Sequence, residues 1–222
     1  MGRIIFITGT DTGVGKTAVT AMLLAHAQST GVKIRALKPI SAGGVGDESL
    51  ISALQEGAFP VNFYHFAEPL SPWSAARLHN ATVTLEDLLA RIHPHRQQCD
   101  LLLVEGAGGL LSPLGEGFSA ADMITRLDCE VLLVAANRIG VLNHTLLSVE
   151  ALRRRGVQHL KIALVEQSGA DVSRKTNLSN LKALLPEVPV TAIPHLSNYM
   201  ADAVFIRAAA SGLGKELTEL IK

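Results

Sequence analysis

The sequence predicts an α/β fold, a three-layer sandwich in which a mostly parallel sheet carries helices on both faces. Short apolar runs alternate with longer amphipathic stretches along almost the whole chain, the mark of right-handed βαβ units. Several runs are continuously apolar, such as Leu101-Leu102-Leu103-Val104, as expected for strands covered on both faces. Strands are expected at residues 3–8, 33–37, 100–105, 130–136, 161–166 and 188–193. Helices are expected near 16–29, 48–56, 84–93, 119–127, 142–155, 176–185 and 201–221.

The first strand is Arg3-Ile4-Ile5-Phe6-Ile7-Thr8, and the first helix grows through Ala18-Val19-Thr20-Ala21-Met22-Leu23-Leu24. Gly43-Gly44-Val45-Gly46 separates the second strand from the next helix, whose start Asp47 and Glu48 would favour as N-terminal charges. The 84–93 helix is expected to end in a loop at His93-Pro94-His95, because proline interrupts the pattern. Arg153-Arg154-Arg155 closes the 142–155 helix, where cations suit the dipole. Without an internal repeat or a low-complexity linker, residues 1–222 are expected to form one domain.

Between the first strand and the first helix lies Gly9-Thr10-Asp11-Thr12-Gly13-Val14-Gly15-Lys16-Thr17. Strand, glycine-rich turn and helix together grip a phosphate. The turn aims backbone N–H groups at an anion, the helix N-terminus adds positive potential, Lys16 reaches terminal phosphate oxygens, and the Thr17 hydroxyl can hold Mg²⁺. The usual spacing puts a glycine at position 10; here Thr10 stands there and Gly9 precedes it, so the match is a variant. The plainer reading, a tight turn with ordinary first-turn residues, lacks a reason for both flanking elements. The sandwich is therefore expected to be of the P-loop NTPase type, with a nucleoside triphosphate as ligand.

Composition excludes other classes. The chain has 222 residues, 48% of them hydrophobic, enough for a substantial core, and its formal net charge is zero with dispersed basic residues. No basic stripe suggests a nucleic-acid partner. Two cysteines, Cys99 and Cys129, sit beside apolar runs as small buried thiols and form neither a disulfide framework nor a zinc pattern. With no leader-like N-terminus and no apolar run near the ~18 residues of a membrane span, the chain is expected to be soluble and cytoplasmic.

In open parallel sheets ligands gather at the carboxyl ends of strands. Those ends carry Lys38-Pro39-Ile40-Ser41-Ala42, Glu105-Gly106-Ala107-Gly108-Gly109, Asn137-Arg138-Ile139-Gly140, Glu166-Gln167 and Pro194-His195-Leu196. Glu105, after four apolar residues, is placed as the acid that helps hold Mg²⁺ opposite a P-loop hydroxyl; a water-facing strand cap is the alternative. A second metal carboxylate is expected at Asp47 or Glu48, with Asp47 preferred, unless the pair serves only the helix N-terminus. Lys38 beside Lys16 would set two cations over one transferring group; otherwise it is a snorkelling surface lysine. His93 and His95 are not expected to bind metal, since oxygen ligands suit Mg²⁺. Asn143, before His144, is either a helix cap or a ligand contact.

Together, Gly9 to Thr17, Lys38-Pro39-Ile40, Phe66-Ala67-Glu68-Pro69-Leu70-Ser71-Pro72, Glu105 to Gly109, Leu142-Asn143-His144 and Ile193-Pro194 resemble the dethiobiotin synthetase family, in the same order from residue 4 to about residue 200. The resemblance implies a Mg-ATP-dependent cyclo-ligase of biotin biosynthesis that acts on 7,8-diaminononanoate and CO₂ or bicarbonate. One amine captures CO₂ as a carbamate, the carbamate attacks the γ-phosphate, and the second amine closes the ureido ring. It implies Lys16 and Lys38 as catalytic cations and Thr17, Asp47 and Glu105 as Mg²⁺ ligands. Nucleotide contacts are implied for Gly13, Val14, Gly15, Lys16, Thr17, Ala18, Asp47, Glu105, Gly106, Ala107 and Gly108. Further such contacts are Glu166, Gln167, Pro194, His195, Leu196 and Asn198. Substrate contacts are implied for Thr12, Ser41, Ala42, Ser71 and Pro72, and, from the partner of a homodimer, for Gly140, Val141 and Asn143.

Two departures stand out. Ala42 occupies the position before the glycine where the family usually has Ser or Thr, with Ser41 one residue earlier, and Glu166-Gln167 replaces the usual Asn-Asp type of base-reading turn. A switch or partitioning ATPase is the competing class, but its signature lysine would stand where this chain has Asp11. A nucleotide-binding paralogue without activity is the other alternative.

Overall fold

The computed structural model describes residues 2–55, 57, 59–195 and 202–222. The chain opens with strand β1 (Arg3–Gly9), the glycine turn and helix α1 (Lys16–Ser29), followed by β2 (Ile34–Leu37), β3 (Ile40–Ala42) and α2 (Gly46–Leu54). Then come β4 (Tyr64–Phe66), α3 (Pro72–Leu78), α4 (Leu85–Arg96), β5 (Leu101–Glu105) and a short hairpin, β6 (Pro113–Gly115) and β7 (Phe118–Ser119). The second half alternates strictly: α5 (Ala120–Leu127), β8 (Glu130–Asn137), α6 (Val141–Arg154), β9 (Leu160–Glu166), α7 (Arg174–Leu184) and β10 (Val190–Ile193). Helices α8 (Ala203–Gly212) and α9 (Gly214–Ile221) end it.

The central sheet runs β10-β9-β8-β1-β5-β2, and every pairing in it is parallel. Alternation of side chains explains why its strands are apolar throughout. Ile5, Ile7, Leu101 and Leu103 face the layer formed by α1, α2, α8 and α9, whereas Ile4, Phe6, Leu102 and Val104 face that of α4 and α5. A further cluster packs β8 and β9 against α6 and α7. Helix α1 is buried from Lys16 to Ala27, because α2, α8 and α9 all pack on it.

All six predicted strands form this sheet, and each predicted helix is present within a few residues, although the ends at Glu56 and Ala201 lie outside the described residues. Three expectations need correcting. The 201–221 helix is two helices, parted at Leu213 between Gly212 and Gly214, where two glycines make an unbroken helix costly. Pro94 lies inside the last turn of α4 instead of in a loop; His95 then stacks on Phe63 at 5.9 Å and meets the edge of Phe59 at 4.8 Å, and burial lowers its pKa. Asn143 is no cap, because α6 starts from Gly140 and Asn143 is exposed within its first turn.

The sequence reading missed α3, the hairpin β6-β7, and the small parallel sheet β3-β4, whose register is Ile40↔Tyr64, Ser41↔His65 and Ala42↔Phe66. Of these only α3 had a local signal: Ser71 as N-cap, accepting from the Ser74 amide at 3.2 Å, followed by proline in the first turn. The described residues hold no helix long and apolar enough to cross a membrane. Cys99 is buried and Cys129 half-buried, both as free thiols, and burial pushes the Cys129 thiol up to about 12.

Leu103 is fully buried in the middle of the sheet, so Leu103→Ala is expected to cost about 3 kcal/mol through lost transfer energy and the cavity left behind. Urea unfolding should show a lower midpoint with an unchanged slope.

Candidate functional site

Strand β1 lies between β5 and β8, so the glycine turn at its carboxyl end opens where the strand order reverses. Gly13 and Gly15 have φ of +71° and +102°, the left-handed region that residues with a Cβ avoid. Those two values shape a loop whose amides line the N-terminus of α1. In this loop Lys16 Nζ donates to the Asp11 carbonyl at 3.0 Å, and the Asp11 carboxylate accepts from the Thr12 amide at 2.7 Å.

Glu105, at the end of β5, is completely buried. Thr17 Oγ1 donates to Glu105 Oε1 and Thr20 Oγ1 to Glu105 Oε2, each at 2.7 Å. Lys38 Nζ lies 3.1 Å from Glu105 Oε1 and also pairs with Asp47. The alternative readings of Glu105 as a water-facing cap and Lys38 as a snorkelling surface lysine are thereby excluded. Asp47 faces Lys38, whereas Glu48 turns to Ser41 and His65, so the geometry separates the two acids that the sequence left together.

A cleft of about 440 Å³ collects most of the expected residues: Thr12, Gly13, Gly15, Lys16, Thr17, Lys38, Ser41, Ala42, Asp47, Ser71, Pro72, Glu105, Ala107 and Gly108. Gly108, at φ +69°, also lets Ser112 approach closely, since a Cβ there would sit 2.5 Å from Ser112 Oγ. The hydroxyl of Ser71 is engaged in capping α3 and bonds Ser74 Oγ at 2.8 Å. Next to the cleft, a groove of about 70 Å³ is lined by Gly13, Gly15, Ala18, Gln167, Pro194 and His195 along with Met22, Val165 and Ile193.

Other expected residues do not converge there. The Val14 side chain belongs to the core, and Gly106 packs against Phe6, where a Cβ would meet ring carbon at 3.1 Å, leaving the backbone of each as its available polar surface. The Glu166 carboxylate accepts from Asn137 Nδ2 at 2.5 Å, and Asn137 in turn accepts from the buried Asn177 at 2.8 Å, which turns Glu166 away from the groove. Gly140, Val141 and Asn143 sit at the start of α6 and line neither cavity. Leu196 and Asn198 lie outside the described residues.

Three residues escaped the sequence reading. Thr20 was legible from its i+3 spacing to Thr17, which puts both hydroxyls on one face of α1. Ser112, whose Oγ accepts from the Gly109 amide at 2.8 Å, had no comparable signal. Asn62 had none either; its Nδ2 donates to the Lys38 carbonyl at 2.7 Å and to Ser41 Oγ at 3.1 Å.

Desolvation by burial lowers the pKa of Lys16 to about 8, Glu105 working against the shift and Lys38 adding to it. Burial also works against the charged form of Lys38, but Glu105 and Asp47 outweigh it and raise its pKa. Thr17, Asp47 and Glu105 supply oxygen donors only, which suits a hard divalent cation. Among the described residues no group of three or more His, Cys, Asp or Glu could enclose a metal, so a cation held here would draw its other ligands from phosphate and water.

Fold and site together define a P-loop nucleotide-binding protein. The AAA domain family matches residues 3–202. The ATP-dependent dethiobiotin synthetase BioD of Anaeromyxobacter sp. (strain Fw109-5) is 36% identical over 95% of this chain and 98% of its own length. That of Rhodococcus jostii (strain RHA1) is 35% identical over 94% and 93%. This chain belongs to the dethiobiotin synthetase family. Among solved structures, a ParA family ATPase from Chlorobium tepidum TLS aligns over 100% of this chain and 97% of its own with TM-score 0.61 and 14% identity. The MinD cell division protein of Aquifex aeolicus aligns over 96% and 98% with TM-score 0.59 and 15% identity. At such identities these two share the fold alone.

The shift of Lys16 has a measurable consequence. Phosphate oxygens beside its ammonium stabilise the charged form, so nucleotide binding above the free pKa of about 8 draws in a proton. Calorimetry in buffers of different ionisation enthalpy is expected to show uptake of nearly one proton per ATP at about pH 9. Uptake should shrink toward neutral pH and vanish in Lys16→Ala.

Proposed function

We propose that the 222 residues work as one ligase domain that closes the ureido ring of dethiobiotin from 7,8-diaminononanoate and CO₂ at the expense of ATP. Membership of the family supports this reading. The observation that carries it is the convergence of Lys16 and Lys38 on one cleft beside Glu105 and Asp47.

In this reading the triphosphate occupies the loop, and Lys16 exchanges its bond to the Asp11 carbonyl for phosphate oxygens. Thr17, Glu105 and Asp47 would hold Mg²⁺, which would neutralise phosphate charge when bound. One amine of the diamine adds to CO₂ and loses a proton, giving a carbamate. A carbamate oxygen attacks the γ-phosphorus, ADP leaves, and a mixed carbamic-phosphoric anhydride remains. The second amine attacks its carbonyl carbon, phosphate departs, and the ring closes as the amine proton is lost. Lys38, held charged by Glu105 and Asp47, and Lys16 stabilise the negative charge that gathers between carbamate and γ-phosphate. Much of the remaining work is positioning: Thr12, Ser41, Ala42, Ser71 and Pro72 form the wall that the diamine meets.

A homodimer completes the proposal. Gly140, Val141 and Asn143 do not line their own cleft, and the Val141 side chain is buried in the core, whereas Ile139 beside them is 80% exposed; a second copy seated on Ile139 would bring Gly140, Asn143 and the Val141 backbone to the partner's substrate tail. For the base, the groove offers mostly apolar walls; Glu166 is held by Asn137, and Gln167 bonds the Val165 carbonyl at 3.1 Å.

Phosphate release with Mg-ATP and bicarbonate is expected to depend on the diamine and to yield the cyclic urea by mass; release without that dependence would contradict the ligase. Lys38→Gln is expected to lower turnover by roughly a hundredfold or more while ATP still binds. GTP or CTP in place of ATP is expected to change initial rates by less than about tenfold, since among the described residues Glu166 and Gln167 are engaged with Asn137 and the Val165 carbonyl.

A further inference from the structure

Ser41, on the cleft wall, is held by three residues, Glu48, His65 and Asn62, that have no role in the reaction as proposed. Strands β3 and β4 pair in parallel with Ser41 directly opposite His65, and α2 lays Glu48 across both. Ser41 Oγ contacts Glu48 Oε1 and lies 3.1 Å from His65 Nδ1 and 3.1 Å from Asn62 Nδ2. His65 Nδ1 is also 3.3 Å from Glu48 Oε1. The second Glu48 oxygen, Oε2, is buried and has no hydrogen-bond partner. Asp47 and Glu105 share Lys38, whereas Glu48 meets His65.

The hydrogen-bond polarity of this cluster follows from counting protons. A carboxylate accepts and does not donate, so the single proton of Ser41 is committed to Glu48. Asn62 Nδ2 faces the Lys38 carbonyl at 2.7 Å, an acceptor-only group, which places the amide nitrogen toward Ser41 as well. His65 Nδ1 faces two acceptors, Ser41 Oγ and Glu48 Oε1, and therefore carries its proton. Ser41 is thus an acceptor toward everything except Glu48. When a ligand N–H arrives from the cleft, His65 can leave its share of Ser41 and keep its bond to Glu48.

We infer that Glu48 and His65 set Ser41 as a hydrogen-bond acceptor in the cleft, so that it receives the free amine of the diamine and disfavours carbamate or phosphate oxygen. This rests on the ligase reading and deepens it. The cleft becomes divided by charge: the two lysines draw the carboxylated amine and the γ-phosphate, and Ser41 takes the amine that stays an N–H donor and attacks. Ser41 touches the substrate, whereas Glu48 and His65 are positioning residues that act through it. The cluster also supplies a hydroxyl at the wall where the neighbouring position is Ala42.

The test is a double-mutant cycle on the full chain, read as KM for the diamine against Kd for ATP, with thermal melting to confirm folding. Wild type is assayed first by mass of the cyclic product; absence of that product overturns the ligase reading and, with it, the ligand assigned here. Given product, Glu48→Gln, whose amide can donate to Ser41 and reverse its polarity, is expected to raise the diamine KM by about tenfold, with Kd for ATP within about twofold of wild type. In a Ser41→Ala background the same change is expected to have less than about a twofold effect. His65→Leu should raise KM as Glu48→Gln does, and His65→Asn, which retains a donor near Nδ1, should restore it. An unchanged KM in Glu48→Gln, an equal effect with and without Ser41, or failure of His65→Asn to rescue would overturn the inference.

Discussion

The site is organised around one buried carboxylate. Glu105 has no contact with solvent, and an acid there costs several kcal/mol unless its charge and both oxygens are answered. They are: Thr17 and Thr20 from α1 donate to one oxygen each, and Lys38 from the end of β2 supplies the charge. Three separate segments of the chain are thereby tied at the carboxyl edge of the sheet. Because Lys38 also binds Asp47, the start of α2 is drawn to the same point.

That tie links the fold to the proposed chemistry. The sheet brings β1 and β5 side by side, with Ile7 opposite Glu105, so the acid lies under the glycine turn regardless of what the loops do. Two lysines brought near one acid in a poorly hydrated cleft then diverge. Lys16, desolvated and close to a second cation, gives up its proton more readily; Lys38, clasped by two carboxylates, holds on to its own. A cleft that meets phosphate with one yielding and one permanent cation suits a reaction in which charge builds up on a transferring phosphoryl group.

The neighbouring wall is built differently. Ser41, His65, Glu48 and Asn62 belong to the small β3-β4 sheet, to α2 and to the loop before β4, outside the main sheet. The central sheet carries the residues proposed to meet phosphate, and this added piece carries the polar groups proposed to meet the diamine. Likewise, the Asn137-Asn177 network removes the Glu166 side chain from the groove beside the loop, so a residue at the expected place along the chain is not at the expected place in space.

The amino-acid sequence by itself determined the α/β class, the six strands, the glycine turn and the identity of Lys16, Thr17, Lys38 and Glu105. Each of these is announced locally, by an apolar run, a glycine spacing, or a charged residue ending a buried strand. Tertiary structure alone decided which of Asp47 and Glu48 faces Lys38, that Asn62 supports the site, and that Glu166 is held by Asn137. Those outcomes depend on contacts between different elements of the chain, where the partner of a polar group is chosen by packing and by the need to satisfy each buried donor and acceptor. Local pattern carries no information about that choice.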